Sequence, residues 1–172
     1  TGYPGMKLLE FAFDSRDGGG RLYQPHNYPT HCIAYVGTHD NDTALGWMKT
    51  AEPADVAMAQ EYLHLDPVEG ENWGMMRAIW SSCAGCTIVQ MQDLLGLGSE
   101  SRMNTPSTLG GNWAWRAQPG FDSPALAQKL HRPMALYERP AVHAELNKKV
   151  LTHTPAPKPF AFGGGVGFFG RE

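Results

Sequence analysis

The chain has 172 residues, with 14 Lys and Arg against 17 Asp and Glu, so its formal net charge is −3. That balance excludes nucleic-acid binding through overall basicity. Hydrophobic residues make up 42 % and charged residues 18 %, against a usual charged share of about a quarter, so a disordered chain is excluded too and one globular unit is expected.

Met6 to Phe13 (MKLLEFAF) is almost wholly apolar, which suits a strand covered on both faces, and Asp17 to Gly20 follow as a loop. Cys32 to Val36 repeats the pattern and runs into the polar stretch Thr38 to Thr43. Val56, Ala59 and Leu63 fall at helical spacing after Pro53, a residue suited to a first helical turn, and Trp73, Met76, Trp80 and Cys83 predict a second buried helical stripe. Thr87 to Met91 is the third strand, ending at another polar loop. Strand, helices and strand make a βαβ-type unit, which favours a parallel sheet or barrel. A later helix opens at Ser123 and Pro124, and Pro133 is expected to kink or end it. Beyond about Thr152 the sequence becomes Pro-rich and then Gly/Phe-rich, the composition of a mobile tail.

No apolar run approaches the roughly 18 residues of a membrane span, so a soluble protein with no membrane partner is expected. Three cysteines (Cys32, Cys83 and Cys86) point to a reducing compartment rather than a secreted disulfide scaffold. The CAGC pattern has neither a second pair nor a nearby His, and small residues around it suggest close packing before a strand rather than zinc. GGGVGFFG lacks the Lys and Ser/Thr of a phosphate loop. Thr1 stands where an initiator Met would, with no leader before it, which implies processing or a part of something longer.

The densest polar cluster is GTHDNDT, Gly37 to Thr43, just past a strand end where parallel α/β folds gather their ligands. On the residues alone three readings stay open. His39, Asp40 and Asp42 could bind a metal, as in a metal-dependent hydrolase. His39 and Asp40 could hold sugar hydroxyls, with the carboxylate opposing an oxocarbenium charge. Asp40 or Asp42 could simply cap the following helix. Asn112, Trp113 and Trp115 add amide and indole groups of the kind that bind sugars, although buried tryptophans that close a barrel are as common.

GMKLLEFAF, PHNYP (Pro25 to Pro29), GTHDNDTALGW (Gly37 to Trp47) and MQDLLGLGSESRMNTPSTLGGNWAWR (Met91 to Arg116) resemble, in order and at similar spacing, the C-terminal portion of the 4-alpha-glucanotransferases, the amylomaltases or disproportionating enzymes of glycoside hydrolase family 77. The resemblance covers about residues 3 to 138. It implies an α/β chain forming the last three strands of a (β/α)8 barrel, which typically takes about 250 residues, with residues 1–140 in the barrel and 141–172 as an extension. It implies transfer of α-1,4-glucan segments between maltooligosaccharides, with retention through a covalent intermediate and with neither metal nor cofactor. The nucleophile and the acid/base are then expected upstream, in a missing N-terminal barrel half, so the chain alone should be inactive or nearly so.

By the same resemblance Asp40 is the catalytic transition-state stabiliser, and His39, Asn104 and Phe11 contact substrate. Glu10, inside the first strand, reads as structural. Gln90 departs from a usual proline, Pro133 interrupts the last helix, and the residues beyond about Pro140 lack a counterpart. A noncatalytic glucan-binding fragment is the alternative from another class. A cytoplasmic location is expected.

Overall fold

Short apolar runs become neighbouring parallel strands in the computed structural model, which describes residues 2–16, 18–139 and, for the backbone alone, 166–170. Strand β1 (Gly5–Leu8) pairs with β2 (Cys32–Tyr35), and β2 pairs with β3 (Cys86–Gln90), both in parallel. Met6 lies opposite Ile33, and Ala34 opposite Thr87. Val166–Gly170 forms β4, antiparallel to β3 on its outer edge. A strand therefore stands within the stretch whose composition suggests a mobile tail. The rest of 140–165, including Phe162, lies outside the described residues, as do Asp17 and the side chains of Phe168 and Phe169.

The first strand is shorter than the apolar run predicts. Leu9–Ala12 tighten into a 3-10 turn, and the Glu10 N–H donates to the Val36 carbonyl at 3.2 Å, so the chain bends across the end of β2 instead of extending to Phe13. Two more 3-10 turns, Gly20–Tyr23 and Pro25–Asn27, lead on to β2. The third strand is shifted by one residue, because Met91 already opens helix α4 (Met91–Leu95).

Between β2 and β3 run α1 (Ala44–Thr50), α2 (Pro53–Leu63) and α3 (Glu71–Trp80), which supply the length that a parallel connection needs. Thr43 caps α1, accepting the Gly46 N–H at 3.1 Å, so neither Asp40 nor Asp42 is the cap. Helix α2 starts at Pro53, where a missing N–H costs no hydrogen bond, and turns Ala59 and Leu63 inward. Helix α3 is buried on nearly every side, with Met75, Met76 and Ile79 fully enclosed. It stops at Trp80, and the exposed Cys83 does not continue the predicted stripe. Trp80 packs edge-on against Trp73, their rings 6.0 Å apart. Truncating a buried indole of this kind to alanine costs about 3–5 kcal/mol.

Helix α5 (Pro124–Leu136) begins at Ser123, whose hydroxyl accepts the Leu126 N–H, and ends one turn beyond Pro133. Just past it the buried Arg139 guanidinium donates to the carbonyls of Trp80 at 2.7 Å, Ser82 at 2.7 Å and Ala84 at 2.9 Å. That contact pins the link from α3 to β3. Cys32, Cys83 and Cys86 are free thiols. Among the described residues no helix is long and apolar enough to cross a membrane.

Candidate active site

The carboxyl ends of the parallel strands deliver one turn, Gly37 to Thr43, and three neighbours hold it. From the end of β3, the Gln90 amide donates to the carbonyls of Gly37 at 3.3 Å and Thr38 at 3.1 Å. Proline at that position would offer neither donor. From beyond the 3-10 turn Ser99–Ser101, Arg102 donates to the Asp40 carbonyl at 2.6 Å and to the Asn104 carbonyl at 2.9 Å. The Asn104 N–H completes the bracket by donating to the His39 carbonyl at 3.1 Å. A seven-residue stretch of loop is thus held from two other segments, which makes the positions of His39 and Asp40 a property of the tertiary fold.

Within the bracket the side chains converge. Asn104 Nδ2 donates to Asp40 Oδ1 at 2.6 Å, and His39 Nε2 lies 3.3 Å from the same oxygen. Both His39 and Asp40 side chains are half exposed. The Trp113 ring stands 4.9 Å from the His39 imidazole, tilted by 41°. Trp113 reaches it through a left-handed backbone at φ 61°, an outlier for a bulky residue, locked by its N–H donating to the Met103 carbonyl at 2.6 Å. Asn112 accepts the Thr105 N–H and closes the loop before it, so its amide is engaged within the loop. Trp115 is partly buried and does not join the cluster.

On the other side of Asp40 a groove of about 280 Å³ runs past Phe11 and Arg102 to Trp47. Phe11 is 40 % exposed and meets Tyr23 edge-on at 5.5 Å, so it offers an apolar wall to the groove. The structure brings Asp40, His39 and Asn104 into direct contact and places Phe11 along the same groove.

Asp42 does not converge with His39 and Asp40. Its carboxylate takes the Ser99 hydroxyl at 2.7 Å and the Thr43 N–H at 2.8 Å, and it serves the start of α1. Among the described residues no three His, Cys, Asp or Glu side chains are disposed to hold a metal ion.

Beneath the turn lie two buried acids. Burial pushes the Asp93 carboxyl from 3.8 up to about 7, opposed by the Ala44 N–H that it accepts at 2.7 Å. Glu10 is raised well above the carboxylate range, first by burial and then by the charges of Asp93 and Asp42. The sequence reads Glu10 as structural and Gln90 as a departure from proline, and it does not single out Arg102, whose bracing of the turn depends on contacts between distant segments.

Comparison with known proteins gives a consistent result. A family model described as 4-alpha-glucanotransferase matches residues 1–122. The 4-alpha-glucanotransferase of Clostridium butyricum is 47 % identical over 140 residues, covering 81 % of this chain and 28 % of that protein. That of Thermus thermophilus is 44 % identical over 145 residues, covering 80 % of this chain and 29 % of its own length. The amylomaltase of Streptococcus agalactiae, solved in complex with acarbose, superposes with a TM-score of 0.75 at 37 % identity, covering 81 % of this chain and 28 % of that one. The chain therefore spans a little over a quarter of the length of these relatives.

Proposed function

The chain belongs to the 4-alpha-glucanotransferase family, and from that premise we propose that it is one part of an enzyme moving α-1,4-glucan segments between maltooligosaccharides by retaining double displacement. Its three parallel strands are the last three of a (β/α)8 barrel, and the remaining strands come from the rest of the protein. The observation that carries the reading is the meeting of Asn104, Asp40 and His39 past the carboxyl end of β2, bordering a groove.

In this reading Asp40 is the stabilising carboxylate. As the glycosidic bond breaks, positive charge grows on the sugar ring, and a fixed carboxylate lowers the energy of that state more than that of the ground state. Asn104 fixes Oδ1 by its amide, so the carboxylate need not reorient during the reaction. His39 binds a sugar hydroxyl, and Phe11 lines the groove with an apolar face for a neighbouring ring. Retention also needs a nucleophile and a proton donor, which the missing barrel half supplies. The site works in the cytoplasm with neither metal nor cofactor.

Incubation of the chain with maltotriose is expected to leave the sugar unchanged, because one stabilising carboxylate cannot replace the other two groups. In the full-length parent, Asp40→Asn is expected to abolish transfer with the fold intact. Robust disproportionation by the chain alone, or near-normal transfer by the substituted parent, would overturn the assignment.

A further inference from the structure

Glu10 has no part in that chemistry, yet it occupies a costly position for an acid near the site. It is 3 % exposed in the turn that follows β1, and its Oε1 has no hydrogen-bond partner. Desolvating an ionised carboxyl costs several kcal/mol unless it is paired, so a buried acid with an orphaned oxygen holds its proton. Asp93 and Asp42 face it and favour the neutral form, while Arg102 and the Asn41 amide oppose them without prevailing.

Its neighbours give the location a purpose. A methyl group at Gly37 would stand 2.8 Å from Glu10 Oε1 and 2.9 Å from Asn41 Cβ, so the two side chains close over a residue that has no room for a side chain of its own. Asn41 Oδ1 accepts the Thr38 N–H and the Thr38 hydroxyl, both at 2.9 Å. With its oxygen occupied in this way, Asn41 has its NH2 group left for the Glu10 carboxyl, which stands beside it over Gly37 and whose charged form it favours. Thr38 Oγ1 in turn accepts the Asp40 N–H at 3.3 Å. Glu10 and Asn41 thus close over Gly37, and hydrogen bonds run on from Asn41 through Thr38 to Asp40.

We propose that Glu10 is a positioning residue for Asp40: its carboxyl orients the Asn41 amide, which through Thr38 sets the turn that presents Asp40 to Asn104 and His39. The functional consequence rests on Asp40 being the working carboxylate, as inferred above. A neutral acid and a primary amide have nearly the same shape, so glutamine should replace Glu10 without loss and alanine should not.

The test uses the whole 172-residue chain, with amide hydrogen exchange read by NMR and maltoheptaose titrated as the probe. Glu10→Ala should speed exchange at the Thr38 amide by about tenfold, while Glu10→Gln stays within about twofold and the Ala34 amide in β2 keeps its rate. Glu10→Ala should also weaken maltoheptaose binding by about fivefold, with Glu10→Gln near the unsubstituted chain. Asn41→Ala cuts the same row at a partly exposed side chain, and it carries the exchange test if Glu10→Ala does not fold. Unchanged Thr38 exchange in Glu10→Ala or Asn41→Ala overturns the proposal, as does a Glu10→Gln chain that behaves like Glu10→Ala. Faster exchange with no maltoheptaose binding in any form keeps the positioning role and overturns the glucan reading.

Discussion

Asn104 and Asp40, 64 residues apart in the chain, meet through a 2.6 Å hydrogen bond from Nδ2 to Oδ1. A hydrogen bond to a charged acceptor is worth about 1.5–3 kcal/mol, and half exposure of the carboxylate reduces this one to about 1 kcal/mol. Asn104→Ala should therefore weaken maltoheptaose binding by about fivefold, measured by NMR titration. Asn104→Asp sets two carboxylates against each other, and one of them should then titrate above the ordinary range in a carboxyl NMR titration. Unchanged affinity in the alanine form would remove the contact from the site.

Asp93 sets a pH dependence of stability. Its carboxyl is raised from 3.8 to about 7 in the fold, so between those values the folded chain binds more protons than the unfolded chain. Its contribution is fully present at and below the unfolded value and is lost as pH rises through about 7. Glu10 acts in the same direction. The melting temperature should fall over that interval, and Asp93→Asn should flatten the curve, since its amide oxygen still accepts the Ala44 N–H but cannot ionise. Calorimetry across the interval decides it, and an unaltered slope in Asp93→Asn would assign the titration elsewhere.

Trp113 separates stability from binding. At φ 61° it adopts a conformation that costs a bulky residue about 1 kcal/mol and glycine almost nothing. Its indole is half exposed, so little burial is lost on truncation. Trp113→Gly should hold or raise the melting temperature while it weakens maltoheptaose binding, because His39 loses the ring that steadies it. A substitution that lowered stability and left binding intact would reverse this account.

Arg139 is the opposite case, a side chain whose contribution is entirely to the fold. Three backbone carbonyls accept from one guanidinium, and an ammonium cannot match that fork. Arg139→Lys should destabilise the chain by about 2 kcal/mol, and Arg139→Ala by about 3 kcal/mol, in urea denaturation. Losses below a few tenths of a kcal/mol would show that the α3–β3 link holds itself.

Apolar runs marked the three parallel strands because a strand covered on both faces leaves little room for polar residues. Their ends were less legible. Phe13 continues the apolar run, but the Glu10 N–H finds a better partner in Val36 than a longer strand would offer. Cys83 fits helical spacing, but α3 ends at Trp80, whose carbonyl turns to Arg139. Local spacing brought out Gly37 to Thr43 as a polar cluster but left cap, metal and sugar readings level. Thr43 as the cap and Asp42 as the partner of Ser99 follow from contacts that no local pattern encodes. The link from Asn104 to Asp40 was foreseeable only by resemblance, since nothing in either segment names the other.

The sheet order has a bearing on barrel closure. Strand β4 already occupies the far rim of β3, so the near rim, β1, is the one left open among the described residues, with Tyr3 and Met6 exposed beside it. In the barrel proposed above, that open rim takes the preceding strand. A closed barrel also brings its first strand to the last one, so β4 stands on the very edge where the ring would shut.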